Sequence, residues 1–503
     1  MTTVGDLLGP GAPWPAVAVV VPLLSAFLAT LLGRAAHRVL APSALVSTAV
    51  AAMATAQVAT HGTVEVAVGN WAPPLGIVLR ADGLSCAFLV AAAVLLAAAA
   101  AFARPDLGPA PDGRETRRGF AFWPLVLCLQ AGLNAVFVGG DLFNLYVALE
   151  LLTIPAVALV ALDGKPEAVT AAFRYLLFAL LGSLAYLLGA AILYATYGAL
   201  DVRLLGRATG GAGPALVAAA FMTAGLMAKT ALFPLHAWLP AAHAAAPAPA
   251  SALLSALVVK APFVVLLRLW FEAVPGVATP ILTQSLGVLG AGGILLGSVL
   301  ALRQGRLKLL VAYSTVAQLG YLLLVFPLAA GSGAQHSWTA SAWTGVIFHA
   351  LAHALAKGAM FLSAGAMAQA LGHDRLEGLA GLGQKLPISA FAFGLAAVSL
   401  MGLPPSGGFT AKYLLLTSAF ASGQWWWALV MVVGGLLAAG YLFRALGRLL
   451  SKPVEVRIVA QVSRARQATA LGLALLSIAL GLWSVHPYRL LQIGAAAAAQ
   501  GLP

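Results

Sequence analysis

Charge is scarce in this chain, and acid is scarcer than base. Of 503 residues, 15 are Asp or Glu and 28 are Lys or Arg, so charged side chains make up 9% against 61% hydrophobic. A soluble domain of that balance has too little polar surface to cover its core, and the expected fold is an all-α, polytopic membrane protein. Cysteine is rarer still. Cys86 and Cys128 each lie in an apolar run, in no C-x-x-C or Cys/His cluster, which argues against iron–sulfur, c-type haem and structural zinc sites. No P-loop occurs and no G-x-G-x-x-G opens a helix after a strand, so nucleotide hydrolysis and dinucleotide binding lack support. No cofactor and no metal is therefore expected. A net charge of +13 would suit nucleic acid if it lay on one amphipathic face or arm, but the basic residues recur between apolar segments, where lipid orientation accounts for them.

What the chain has instead is apolar runs of spanning length. Fourteen are read, near residues 15–33, 43–60, 83–103, 120–138, 142–162, 170–198, 213–235, 248–272, 283–303, 308–328, 341–369, 388–417, 424–448 and 468–486. Loops after the odd-numbered spans hold nineteen Lys and Arg, Arg114 and Lys452 among them, whereas the other side has four, Arg80, Arg203, Arg207 and Arg489. That asymmetry places the odd loops in the cytoplasm and both termini outside, as in a bacterial cytoplasmic (inner) membrane. No cleavable leader is read before the first span, which is expected to be retained. Five cations remain inside spans: Lys229, Lys260, Arg268, Lys357 and Lys412.

The chain is organised around residues 221–272, where two apolar segments carry Lys229 and Lys260 and are joined by a Pro- and His-rich stretch. A lysine at mid-membrane costs about 2.5–3.5 kcal/mol on insertion scales, so such residues face a bundle interior or a wet cavity. Pro234 removes a backbone donor five residues after Lys229, and such breaks are tolerated where backbone lines a cavity. In this break His236 and His243 flank Trp238; a histidine here either relays protons or caps freed carbonyls. Glu150, in the fifth span, is the one carboxylate expected deep in the membrane, since Asp141, Asp163 and Glu272 close their spans. A lysine within a few ångströms would hold it ionised. Five cations against one anion cannot all stay charged in a low dielectric. Lysine poised between charged and neutral is a proton carrier; arginine is not, which makes Arg268 a structural residue.

His349, His353 and Lys357 recur at i, i+4 and i+8, which stacks them on one slowly drifting helical stripe about 6 Å apart. Lys308 opens the tenth span and is expected to snorkel to the cytoplasmic interface. In the twelfth span, SLMGLPPSGGFTAK places two prolines and three glycines just before Lys412, a second break beside a lysine. Trp425, Trp426 and Trp427 are expected at the membrane interface. Two broken helices five spans apart suggest inverted repeats. The organisation read is a three-span scaffold over residues 1–119, nearly free of intramembrane charge, repeats over 120–272 and 273–450, and a basic loop with the last span over 451–503.

The runs PLHAWLPAAHAAAPAPASALLS followed by Lys260, AYSTVAQLGY, HALAHALAKGAMFLSAG and GLPPSGGFTAK together resemble the antiporter-like subunit family over about residues 120–450. That family includes the large proton-pumping membrane subunits of respiratory complex I, the A and D subunits of Mrp-type Na+/H+ antiporters and subunits of membrane-bound hydrogenases. The resemblance implies that Glu150 is the fifth-helix glutamate, Lys229 its seventh-helix partner, Lys260 the eighth-helix relay, Lys412 the twelfth-helix exit, and His349, His353 and Lys357 the eleventh-helix polar row. Departures are Arg306 where an acid is common, Ala256 where a glycine is common, and Pro262 close after Lys260. The chain ends soon after its fourteenth span, without a long lateral amphipathic helix, which leaves an Mrp D-like subunit or a medial complex I or hydrogenase-type subunit; lysine at 412 tilts the reading towards the D-like member, with the complex I or hydrogenase subunit as the alternative. The implied partners are other integral membrane subunits, protons and, within the complex, Na+. A stand-alone Na+ or solute carrier using the breaks as its binding site is the rival reading, and a scaffold that has lost transport is a third.

Overall fold

The computed structural model describes residues 9, 11–108, 116–210, 213–329, 337–451 and 457–495. Arg114, Lys452 and the Ala-rich tail after 495 lie outside these. Apolar runs become helices because a bilayer leaves the backbone no partner but itself. They are α1 (Trp14–Leu32), α2 (Ala36–His61), α3 (Gly83–Leu107), α4 (Arg117–Val138), α5 (Leu142–Val160), α6 (Pro166–Tyr197), α7 (Gly213–Thr230) and α8 (Ala248–Ala273). The series continues with α9 (Pro280–Leu302), α10 (Leu307–Leu322), α11 (Ser337–Leu371), α12a (Pro387–Met401), α12b (Gly407–Ala421), α13 (Trp425–Leu449) and α14 (Arg464–Leu482). Side chains cap several starts where the first N–H groups are orphaned: Asp82 for α3, Asp141 for α5 and Ser406 for α12b.

The fold is all-α and polytopic, with helix on every apolar segment read from the sequence. Eleven stretches of the described residues, not fourteen, are long and apolar enough to cross a membrane uninterrupted. The difference has local causes. α1 and α2 run together as one 48-residue stretch through a short turn at Gly33; α7 stops at Thr230, where Ala231 adopts φ +58°; and the twelfth segment is divided between Gly402 and Ser406. α8 is continuous in length but not in pitch. Its turns widen to the i→i+5 pattern over Leu254–Val258 and again over Leu269–Ala273, with Lys260 between them.

Contacts among the connections sort into two faces. On one, Arg306 meets Asp374 at 2.9 Å, Arg118 meets Asp163, and Arg444 bonds the Leu302 and Gln304 carbonyls. On the other, an antiparallel hairpin of β1 (Val64–Ala67) and β2 (Val78–Ala81) sits with Asp141, Asp201 and the 490–494 segment. Arg118, Arg306, Arg375 and Arg444 belong to the first face. Small residues draw two helix pairs to backbone contact: a Cβ added at Gly225 of α7 would lie 2.3 Å from the Gly182 carbonyl of α6, and one at Gly320 of α10 would lie 2.4 Å from the Gly290 carbonyl of α9.

One expectation is corrected here. Trp425 and Trp426 are exposed as an interface belt would be, but Trp427 is buried, with its Nε1–H on Gln424 Oε1 at 3.1 Å and its ring against Gly287. Burial inside the protein follows a different order from depth in the membrane: Glu150 is 25% exposed, whereas Asp82 and Glu272 are buried at 2% and 9%. Asp82 caps the start of α3, in the segment read as nearly free of intramembrane charge. Arginines from distant segments neutralise both buried acids, which is why burial is tolerated.

Candidate functional site

Lys229 ends α7 one residue before the break, and its ammonium donates to Glu150 Oε1 at 2.9 Å and to Thr153 Oγ1 at 3.0 Å. Glu150 and Thr153 are three residues apart on α5, hence on the same face. Ser183 of α6 donates a further hydrogen bond to Glu150. The carboxylate of α5 is thus held by groups of two other helices, α6 and α7. Beside it lies a cavity of about 10 Å³, room for one water, lined by Thr153, Tyr175, Lys229, Val258 and Pro262, which connects the pair to α8.

Lys260 is wholly buried and has no carboxylate. Its partner comes from the widened turn beneath it. The Val259 N–H reaches the Leu254 carbonyl at 3.3 Å and the Lys260 N–H turns to Leu257 at 2.9 Å, leaving the Ser255 carbonyl to the Lys260 ammonium. Pro262, just above, supplies no backbone donor of its own. Across the interface Ser255 Oγ meets Thr315 Oγ1 of α10 at 2.9 Å.

The α11 row continues the line. Lys357 donates to the Val311 carbonyl at 2.8 Å and to Ser314 Oγ; His349 Nε2 meets the Gln318 carbonyl at 3.0 Å; and the rings of His349 and His353 stack with centroids 6.1 Å apart, the spacing a helical stripe requires. Lys412 on α12b reaches back across the break to the carbonyls of Leu400 at 2.8 Å and Met401 at 3.2 Å, over the ring of Tyr321 at 4.8 Å. Lys260, Lys357, Lys412 and His349 all lie within electrostatic reach of His353, so the structure gathers these five groups.

The two histidines of the first break part company. His243 is buried on the short helix Trp238–Ala245, stacked on Phe361 at 4.5 Å and within reach of Lys260 and Lys357. His236 is half-buried beside Phe233 at 5.9 Å. The freed carbonyls go to other donors: Trp238 Nε1 bonds Ala228, Ser251 Oγ bonds His243, and Lys308 Nζ bonds Ala246. Lys308 thus folds onto the break. Arg306, where an acid was expected, pairs with Asp374.

Sequence reasoning passed over the hydroxyl and amide groups that line the row. Ser314, Thr315, Gln318 and Tyr321 form a polar strip on α10, all inside the AYSTVAQLGY run, whose 3- and 4-residue spacing was a legible signal. It also missed a buried ion cluster of Arg80, Asp82, Arg268 and Glu272 at the face opposite the basic loops. Among the described residues, no group of three or more His, Cys, Asp or Glu could hold a metal ion. What the row can do chemically is pass a proton between lysines that carbonyls and hydroxyls solvate and the histidines that stand among them.

Known proteins share both the sequence and this architecture. Residues 139–438 match the family described as NADH:quinone oxidoreductase/Mrp antiporter, TM. The chain is 37% identical over 442 residues to NADH-quinone oxidoreductase subunit N of Desulforudis audaxviator (strain MP104C), covering 86% of this chain and 85% of the relative. It is 30% identical over 384 residues to the D subunit of the Na(+)/H(+) antiporter of Alkalihalophilus pseudofirmus (strain ATCC BAA-2126 / JCM 17055 / OF4), covering 75% and 74%. A chain in the structure of the Mrp complex from Dietzia sp. DQ12-45-1b superposes with a TM-score of 0.86 at 26% identity, over 96% of both chains.

Proposed function

This chain belongs to the NADH:quinone oxidoreductase/Mrp antiporter family, and from that premise we propose that its buried row conducts protons across the membrane. It is an antiporter-like subunit of a multi-subunit membrane complex. The observation that carries the reading is the succession Glu150–Lys229, Lys260, His353 with His349 and Lys357, then Lys412, each cation solvated by protein oxygen or coupled to the next. Protons enter near Lys229, move along the row through Lys260, and leave past Lys412; His243 stands beside this path and His236 at its rim. The excess of Lys and Arg on one face favours a bacterial cytoplasmic membrane with the odd loops inside and both termini outside.

Glu150 couples the row to its surroundings. It emerges on a face where Val147, Ile154, Leu177 and Leu181 are exposed, and a carboxylate is too costly to leave against lipid. A neighbouring membrane protein of the complex covers it there. When that neighbour brings a charge towards Glu150, the hold on Lys229 changes, and with it the readiness of the next group to take a proton. The same reading serves both settings that the relatives represent, with Na+ bound elsewhere in the complex if it is moved at all. The test is ΔpH formation by the reconstituted complex: Lys229→Ala should abolish it, and full pumping by the assembled variant sinks the proposal.

A further inference from the structure

The cluster of Arg80, Asp82, Arg268 and Glu272 is assigned no part in the row, yet it contains four charges with side chains no more than 9% exposed. Arg268 grips Asp82 with two nitrogens, at 3.0 and 3.2 Å, and adds Glu272 Oε1 at 3.1 Å and Ser85 Oγ at 2.9 Å. Arg80 bonds the other oxygen of Glu272, lies 3.4 Å from Asp82 and bonds the Gly494 carbonyl at 3.1 Å. Well-packed apolar residues often stabilise a core as well as such a cluster does, so the best-attested use of buried ions is to fix a register.

The register at stake is that of α8. Its second widened turn ends at Ala273, inside the cluster, and its first lies under Lys260. A widened turn is a defect that can travel along a helix by exchanging one hydrogen bond at a time, unless both ends are held. Moving it past Lys260 would turn that residue by about 100° relative to its neighbours and take its ammonium off the Ser255 carbonyl. We propose that Asp82, Arg268 and Glu272 are positioning residues: by pinning the outer end of α8 they hold the widened turn at Leu254–Val258 and so keep Lys260 in the row.

Arg268→Lys keeps the charge and gives up the two-pronged grip. In the assembled complex, amide hydrogen exchange across Leu254–Lys260 should then speed up by about tenfold or more, as expected for loss of a charged hydrogen bond. Transport should fall with it. Glu272→Gln, a gentler change that leaves the Arg268–Asp82 pair intact, should shift exchange in the same direction by less and serves if the first variant does not assemble. Exchange unchanged in an assembled variant overturns the clamp. The clamp's use of Lys260 rests on the proton-carrying reading, and the two part cleanly: faster exchange with wild-type transport leaves the clamp standing and removes Lys260 from the path.

Discussion

The two interrupted helices each bring a lysine into the interior, and they hold it in opposite ways. Lys229 sits just before its break and is met by a full negative charge, Glu150, from another helix. Lys412 sits just after its break and reaches back to the carbonyls at the end of the preceding half-helix, where the aligned backbone dipoles present partial negative charge. A cation paired with a carboxylate leaves an unbalanced charge behind when it gives up its proton. One solvated by carbonyls leaves none. The comparison teaches that the first break suits a charge sensor and the second a donor that can be emptied.

Breaking the second arrangement should have the largest effect. Guanidinium does not deprotonate in proteins, so Lys412→Arg should stop transport nearly as fully as Lys412→Ala, by more than about tenfold, while Lys412→Glu, which titrates, retains a part. Native gels must show assembly in each case. Wild-type pumping by assembled Lys412→Arg would mean that release runs through another group such as Lys357. Next comes the first arrangement. Glu150→Gln strands the Lys229 charge, and breaking such a pair costs about 3–5 kcal/mol, so thermal stability and transport should both drop. If Glu150→Gln melts and pumps as the parent does, the pairing has no such role.

Smaller changes sharpen the contrast. Tyr321→Leu removes the ring under Lys412, an interaction of about 0.5–2 kcal/mol, and should slow transport a few-fold while leaving the Lys229 side untouched. Least of all, Tyr321→Phe keeps that ring and loses only the hydroxyl bond to the Met431 carbonyl. About 1 kcal/mol of stability should go, read by thermal melting, with transport within twofold of the parent.

The helices were legible because spanning length and apolarity are local properties of a run, and both breaks were legible because Pro and Gly act on their own turns. The α11 stripe was equally so, since i, i+4, i+8 fixes one face whatever packs against it. Partners distant in sequence were not. Arg268 and Asp82 are separated by 186 positions, and nothing near either marks the other; only the Asp82–Ser85 spacing, a capping signal, pointed to a special role at the start of α3. Likewise the sequence offered lysines without acceptors, because carbonyls freed by a wide turn or a break exist only once the backbone is folded. Trp427 went inside for a related reason: Gly287 on α9 leaves room for its ring, and that vacancy belongs to another helix.

The glycine crossings bear on mechanics. Where Gly225 meets Gly182, and Gly320 meets Gly290, main chains touch with no side chain between them to deform, so each helix pair behaves as a stiff strut. Lys229 stands one turn past Gly225, its Cγ 3.3 Å from where a Cβ at Gly182 would be. Sliding or tilting of α7 against α6 would part the backbones before it moved that ammonium far. If Lys229 carries protons as proposed, its stroke is delivered by rotation about its side-chain bonds, with the struts standing still around it.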